Sequence, residues 1–299
     1  MTKIQSPLTL LFLLSCSFAS AQTDSLHHKI ETVLSGKKAV VGVSIYGIEN
    51  KEWININNDR HYPMQSVFKF HIALTVLHRV DEGKLQLSLE IMIKKNDLLP
   101  NTWSPIRDKY PDGNVVLSLA EIINYTVALS DNNGCDILLR LIGGVKVVNE
   151  YIHSLGITDV AVAANEEEMH KAWDVQYANW TTPKAATDLL VLFYDQKVLS
   201  KTSFSFLWNV MIETSTGTGR IKAGVPEGTP VAHKTGTSDR NNEGIAAAAN
   251  NIGIVSLPNG THFAISVFVS NSKETDETND TIIAAVARAA WDHFTLKTD

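Results

Sequence analysis

Cysteine is almost absent from this chain: Cys16 and Cys135 are the only two in 299 residues. If Cys16 leaves with a leader, Cys135 has no partner, and no intramolecular disulfide can form. In "GCDILLRLIGG" it reads as a buried core residue. A long apolar run is missing too. The stretch from Leu8 to Leu14 is far too short to cross a bilayer. There is no basic run, and the formal net charge is -6. That argues against nucleic acid as a partner. The G-x-S-x-G of an α/β-hydrolase is absent, "GVSIYG" having the wrong spacing. So is H-E-x-x-H or any comparable ligand cluster. No metal or cofactor is expected, and no repeat or low-complexity segment is visible.

What is present starts with a leader. After Lys3 comes "PLTLLFLLSCSFASAQ", which ends in small residues, with "ASA" as an A-x-A-like cleavage signal. Residues 1–21 read as a secretory signal peptide that directs the chain to the periplasm. A second reading takes "LLSC" as a loose lipoprotein box with Cys16 lipidated. The rest, 44% hydrophobic and 19% charged overall, is an ordinary globular composition. A monomer is expected.

Helical spacing and a glycine stop predict a helix over 24–34, capped by Asp24. "AVVGVSIYGIE" and "WININN" read as two strands around the turn "ENKE". From Ser66 to Glu213 the chain turns helical, over 66–82, 118–129, 132–142, 145–154, 183–195 and 202–213. "TPVAHKTGTS", "GIAAAANNIGIVSL" and "HFAISVFVS" then restore strand character, with "PNG" as a hairpin turn. A last helix covers 276–294. Strands at both ends with helices between predict an α+β fold of the α/β sandwich type, an antiparallel sheet built from both termini. The expected division is an α/β domain over 22–60 and 214–299 and an all-α domain over 61–213. Their junction is the default cleft.

Ser-x-x-Lys occurs as Ser35/Lys38, Ser66/Lys69 and Ser270/Lys273. Only Ser66 opens a helix, where positions i and i+3 share a face. By itself the pattern reads as a cap followed by a snorkelling lysine. "SDN", Ser130-Asp131-Asn132, by itself reads as an N-cap loop. "HKTGTS", residues 233–238, could be an exposed edge strand. Together, S-x-x-K, S-D-N and K-T-G in this order form the signature of class A β-lactamases and penicillin-binding proteins. With "LLPNTWSPI" and "ANEEEMHKAWDVQYANWTTP" added, the mature chain resembles a class A serine β-lactamase, nearest the PER, VEB and TLA extended-spectrum branch.

The resemblance implies a β-lactam substrate and assigns roles. Ser66 would be the nucleophile, which needs a base. Lys69 and Glu166, the latter acting through a water, are both candidates. Glu166 would drive deacylation from an omega-shaped loop, although Glu167 and Glu168 could compete. Ser130 would pass a proton to the lactam nitrogen. Asn132 would donate to the substrate side chain, and Asp131 would hold its loop together. Lys234 would face the substrate carboxylate, with Thr235 and Thr237 adding hydroxyls. The Ser66 and Thr237 amides would form the oxyanion hole. Gly236 would leave room for substrate against the strand. Trp103 would wall the cleft.

Three features depart from the wider family. His170 stands where a water-holding asparagine is usual, so it would fix the loop or the water. No arginine follows K-T-G on the next strand, so Arg220 would take the carboxylate. The arginine–aspartate clamp of the loop falls on Ala164 and Asn179, which implies a differently folded or looser loop. Two rivals remain: a D-Ala-D-Ala peptidase, which lacks deacylation and so the place for Glu166, and a non-catalytic periplasmic binding protein.

Overall fold

A computed structural model describes residues 25–296. The leader over 1–21, with Cys16, and the cap at Asp24 lie outside them. Five antiparallel strands form the main sheet: β1 (Val40–Gly47), β2 (Glu52–Ile56), β3 (Val231–Thr237), β4 (Ala246–Ser256) and β5 (His262–Ser272). Their order is β2-β1-β5-β4-β3, so the last strand of the chain pairs with the first, from Val40 opposite Ser270 to Gly47 opposite Phe263. The sheet is therefore built from both ends of the chain, as expected.

The period of two along β5 decides what covers each face. Phe263, Ile265, Val267 and Val269 join one buried cluster with Leu26 and Ile30 of α1 (residues 25–34) and Ile283 and Val286 of α8 (Asp276–Thr295). Ala264 and Phe268 join the other cluster, against the interposed helices. These are α2 (Phe68–Asp81), α3 (Leu119–Ala128), α4 (Asn132–Ile142), α5 (Val145–Ser154), α6 (Pro183–Tyr194) and α7 (Lys201–Ile212). Ser118, Asp131, Thr182, Ser200 and Thr275 each accept a first-turn amide at a helix start. Cys135 is buried in the helical cluster, where desolvation pushes its thiol well up. No helix among the described residues is long and apolar enough to cross a membrane.

Two expectations need correction. The segment 61–213 is not purely helical. It carries a ribbon of Glu90–Ile93 against Val115–Ser118 and a small sheet of Tyr62–Pro63, Trp180–Thr181 and Val160–Ala161. Strands of two to four residues are too short to show a period of two. The helix expected from residue 66 begins later, because Gln65–Val67 forms a single 3-10 turn ahead of Phe68.

Candidate active site

Ser66 sits on that turn, and α2 carries Lys69 beside it. Ten consecutive residues, Phe68 to Leu77, are buried. The apolar run that drives this burial takes Lys69 out of water as well. Its ammonium is ringed by four oxygens: Ser66 Oγ at 2.7 Å, Ser130 O at 3.0 Å, Asn132 Oδ1 at 2.5 Å and Glu166 Oε1 at 2.8 Å. An ammonium has three protons. The Glu166 oxygen makes a charge contact but lies outside hydrogen-bonding direction, and no protein donor is aligned with it.

Ser130 joins two cations. Its carbonyl accepts from Lys69, and its hydroxyl accepts from Lys234 Nζ at 2.9 Å. This requires a left-handed backbone, φ 60° at Ser130, of the kind that persists at functional sites. Asp131 holds the turn, accepting from the amides of Ile106 and Gly134 and from the Ser104 hydroxyl. Lys234 gives a second hydrogen bond to Thr235 O. Burial, then the charge of Lys69, pushes its pKa well below the usual lysine value. Asn132 spends its amide nitrogen on Thr102 Oγ1 at 2.6 Å.

The structure separates the three glutamates. Glu168 and Asn165 close a reciprocal capping box, Glu167 is exposed, and Glu166 alone is buried against Lys69. Asp136, in the first turns of α4, accepts the amides of Glu166 at 2.9 Å and Glu167 at 3.0 Å. Burial raises its pKa to about 6, against the pull of those amides. His170 Nδ1 lies 2.7 Å from Glu166 O, so it donates back to its own turn and fixes the loop.

Of the two expectations for the loop, differently folded or looser, the looser one is corrected. No ion pair joins Ala164 and Asn179, but the buried Asn179 amide accepts from Ala163 N and Ala164 N and donates to Ala164 O. One neutral amide clamps both ends through the backbone.

The K-T-G strand brings two further corrections. A side chain on Gly236 would not meet substrate. A Cβ there would lie 2.3 Å from Met64 O and 3.3 Å from Ser66 N. The glycine lets β3 approach the nucleophile's turn. Gly236→Ala should cost about 1–3 kcal/mol in stability and roughly 100-fold in activity, since a 1 Å misplacement suffices for that. Urea unfolding and steady-state kinetics would check this, and wild-type kcat in the variant would refute it.

Arg220 points into protein rather than the cleft. Its Nε pairs with Asp280 at 2.6 Å, its Nη1 donates to Gly236 O and Asn250 O, and its Nη2 donates to Thr237 Oγ1 at 2.9 Å. Four of its five N–H groups are thereby used, and its reach to a ligand runs through Thr237. Thr235, also buried, shares a hydrogen bond of 2.6 Å with Thr216.

A cleft of about 540 Å³ opens over Ser66, Asn132, Glu166, His170 and Thr237, and a lobe of about 290 Å³ continues to Ser130 and Thr235. Trp103 walls both, 59% exposed, with its indole N–H on Leu129 O. The sequence reading missed Asp136, Asp280 and Thr216. A carboxylate amid the apolar residues of "GCDILLRL" is a signal for the first; Asp280 on an ordinary amphipathic helix gave none.

The arrangement can do acyl transfer: a serine on a strained turn, a desolvated amine against it, a buried carboxylate beyond, and a second serine–lysine pair alongside. Comparison agrees. Residues 25–294 match the model of the beta-lactamase enzyme family. Beta-lactamase VEB-1 of Pseudomonas aeruginosa is 50% identical over 96% of this chain and 98% of its own. The extended-spectrum beta-lactamase PER-1 of the same organism is 44% identical, over 97% and 94%. The crystal structure of the TLA-1 extended-spectrum beta-lactamase superposes with a TM-score of 0.89 at 54% identity, over 91% of this chain and 99% of that one.

Proposed function

The chain belongs to the β-lactamase enzyme family and is a class A serine β-lactamase, and from that premise we propose that it opens β-lactams through an ester on Ser66 and hydrolyses that ester with water activated by Glu166. Penicillins and cephalosporins are the substrates, bulky cephalosporins included. The cleft volume of about 540 Å³ and the extended-spectrum names of the relatives support that breadth. The periplasm is the proposed location, on the leader over residues 1–21.

One observation carries the reading: a single buried Nζ lies 2.7 Å from the Ser66 hydroxyl and 2.8 Å from the Glu166 carboxylate. Lys69 becomes a base when its ammonium turns one N–H onto Glu166 Oε1 and passes that proton across, and the direct contact with Ser66 then lets it take the serine proton. The serine oxygen adds to the lactam carbonyl carbon. The developing oxyanion faces the Ser66 and Thr237 amides. As the C–N bond breaks, the nitrogen takes the Ser130 proton, which the neighbouring ammonium groups replace. Lys234 and Thr235, with Thr237 backed by Arg220, receive the substrate carboxylate. Before the second half, Glu166 returns its proton to the Lys69 amine, which has passed its own on to Ser130. The carboxylate then takes a proton from water, hydroxide adds to the ester carbon, and Ser66 leaves with the proton that Glu166 passes back.

Nitrocefin distinguishes this from a peptidase of the same fold. Linear turnover for many equivalents is expected. A burst of one equivalent followed by silence would favour the peptidase, and no colour at all a binding protein.

A further inference from the structure

Gln65, directly before the nucleophile, is left-handed with φ 46°. A residue with a Cβ is costly there, and such strain persists only where surroundings over-determine it. Its side chain supplies one such constraint. Gln65 Nε2 donates to Gln176 Oε1 at 2.5 Å. Gln176 is buried in the 3-10 helix Trp173–Ala178, on the returning stem of the Glu166 loop. Its own Nε2 donates to Trp173 O at 2.7 Å. A carbonyl can only accept, so that contact fixes the amide's orientation and leaves Oε1 to receive Gln65. Asn179, three residues on, clamps the loop, and its carbonyl accepts Met64 N at 2.8 Å. Both glutamines line the cleft.

We propose that Gln65 and Gln176 are positioning residues for acylation: their amide bridge holds the turn of Ser66 in its strained geometry against the stem of the Glu166 loop. Removing either amide releases the turn, displacing the Ser66 hydroxyl from Lys69 and its amide from the oxyanion position. The inference rests on Ser66 being the nucleophile.

The test is stopped-flow acylation by nitrocefin of Gln65→Ala, Gln176→Ala, the double variant, Gln176→Glu and Gln65→Gly, with the adduct located by mass spectrometry in the wild type trapped with a slow β-lactam. Each alanine variant should acylate about 10-fold more slowly, with deacylation less affected. The double variant should match the singles rather than multiply to about 100-fold, since one bridge is lost in each. Gln176→Glu keeps the acceptor and should recover most of the rate. Gln65→Gly should outperform Gln65→Ala, because glycine adopts the left-handed turn without a clamp. A purely packing role predicts the reverse order. Multiplying effects, an unchanged acylation rate in Gln176→Ala, or glycine worse than alanine at Gln65 would overturn the bridge. An adduct on another residue would overturn the Ser66 reading instead. Circular dichroism of each variant separates loss of fold, and if Gln65→Ala does not fold, the two Gln176 variants decide alone.

Discussion

Glu166→Ala is expected to acylate and then stop. One equivalent of nitrocefin should be consumed in a burst, and an ester of the substrate's mass should persist on the protein. Steady turnover should fall on the order of 10³-fold or more, the loss typical when a general base is removed. The step that fails is the second. The ester would still form, because without the Glu166 counter-charge the buried amine of Lys69 can give up its proton to water instead, 2.7 Å from the Ser66 hydroxyl, and Ser130 and Lys234 remain paired beside it. The ester could not leave, because the one buried carboxylate oxygen among the described residues without an aligned protein donor is gone. Glu167→Ala and Glu168→Ala are the controls. Glu167 is exposed and Glu168 caps its own turn, so both should stay within about 3-fold, the usual reach of surface changes. Unimpaired turnover by the alanine variant at 166 would mean that another group activates the water. A variant that never acylates would make Glu166 the base of the first step too.

Such a prediction was within reach of the sequence, because the helices and long strands declare themselves by period and cap. The helices that the sequence predicts over 132–142 and 145–154 agree with the structure to the residue. Each has a clear start, Asp131 before one and the paired glycines 143 and 144 before the other, the first of which caps α4 at φ 101°. The sheet's assembly from both termini followed from where strand character stops and resumes. What was not legible depends on partners distant in sequence. Gly236 looked like an opening for substrate, and the backbone it touches lies some 170 positions earlier. Arg220 looked like a free cation because Asp280 carries no local mark of a partner. The loop looked unclamped because an amide that binds backbone leaves no complementary side chain to search for. Motif residues could be named, but the directions of their side chains could not.

Ser66→Ala should lose hydrolysis by a factor on the order of 10⁶, as when a lone nucleophile is removed, while binding of an intact penicillin survives. Asn132, Lys234, Thr235 and Thr237 are untouched by the change, so the dissociation constant should stay within about 10-fold. The fold should meanwhile become firmer. Lys69 faces four oxygens with three protons, and its hydrogen bonds go to Ser66 Oγ, Ser130 O and Asn132 Oδ1, leaving Glu166 Oε1 with a charge contact alone. Deleting the serine hydroxyl frees the third N–H to turn onto Glu166 Oε1, exchanging a neutral acceptor for a charged one. A gain of about 0.5–2 kcal/mol is expected, the range found when function has been holding stability down. Chemical denaturation of both forms at neutral pH would measure it. Residual turnover near the wild-type rate would remove Ser66 from the mechanism. A clear loss of stability would show instead that the hydroxyl belongs to the network that keeps Lys69 buried. The two outcomes are separate: the first concerns the covalent step, the second the cost of keeping a serine beside a buried amine.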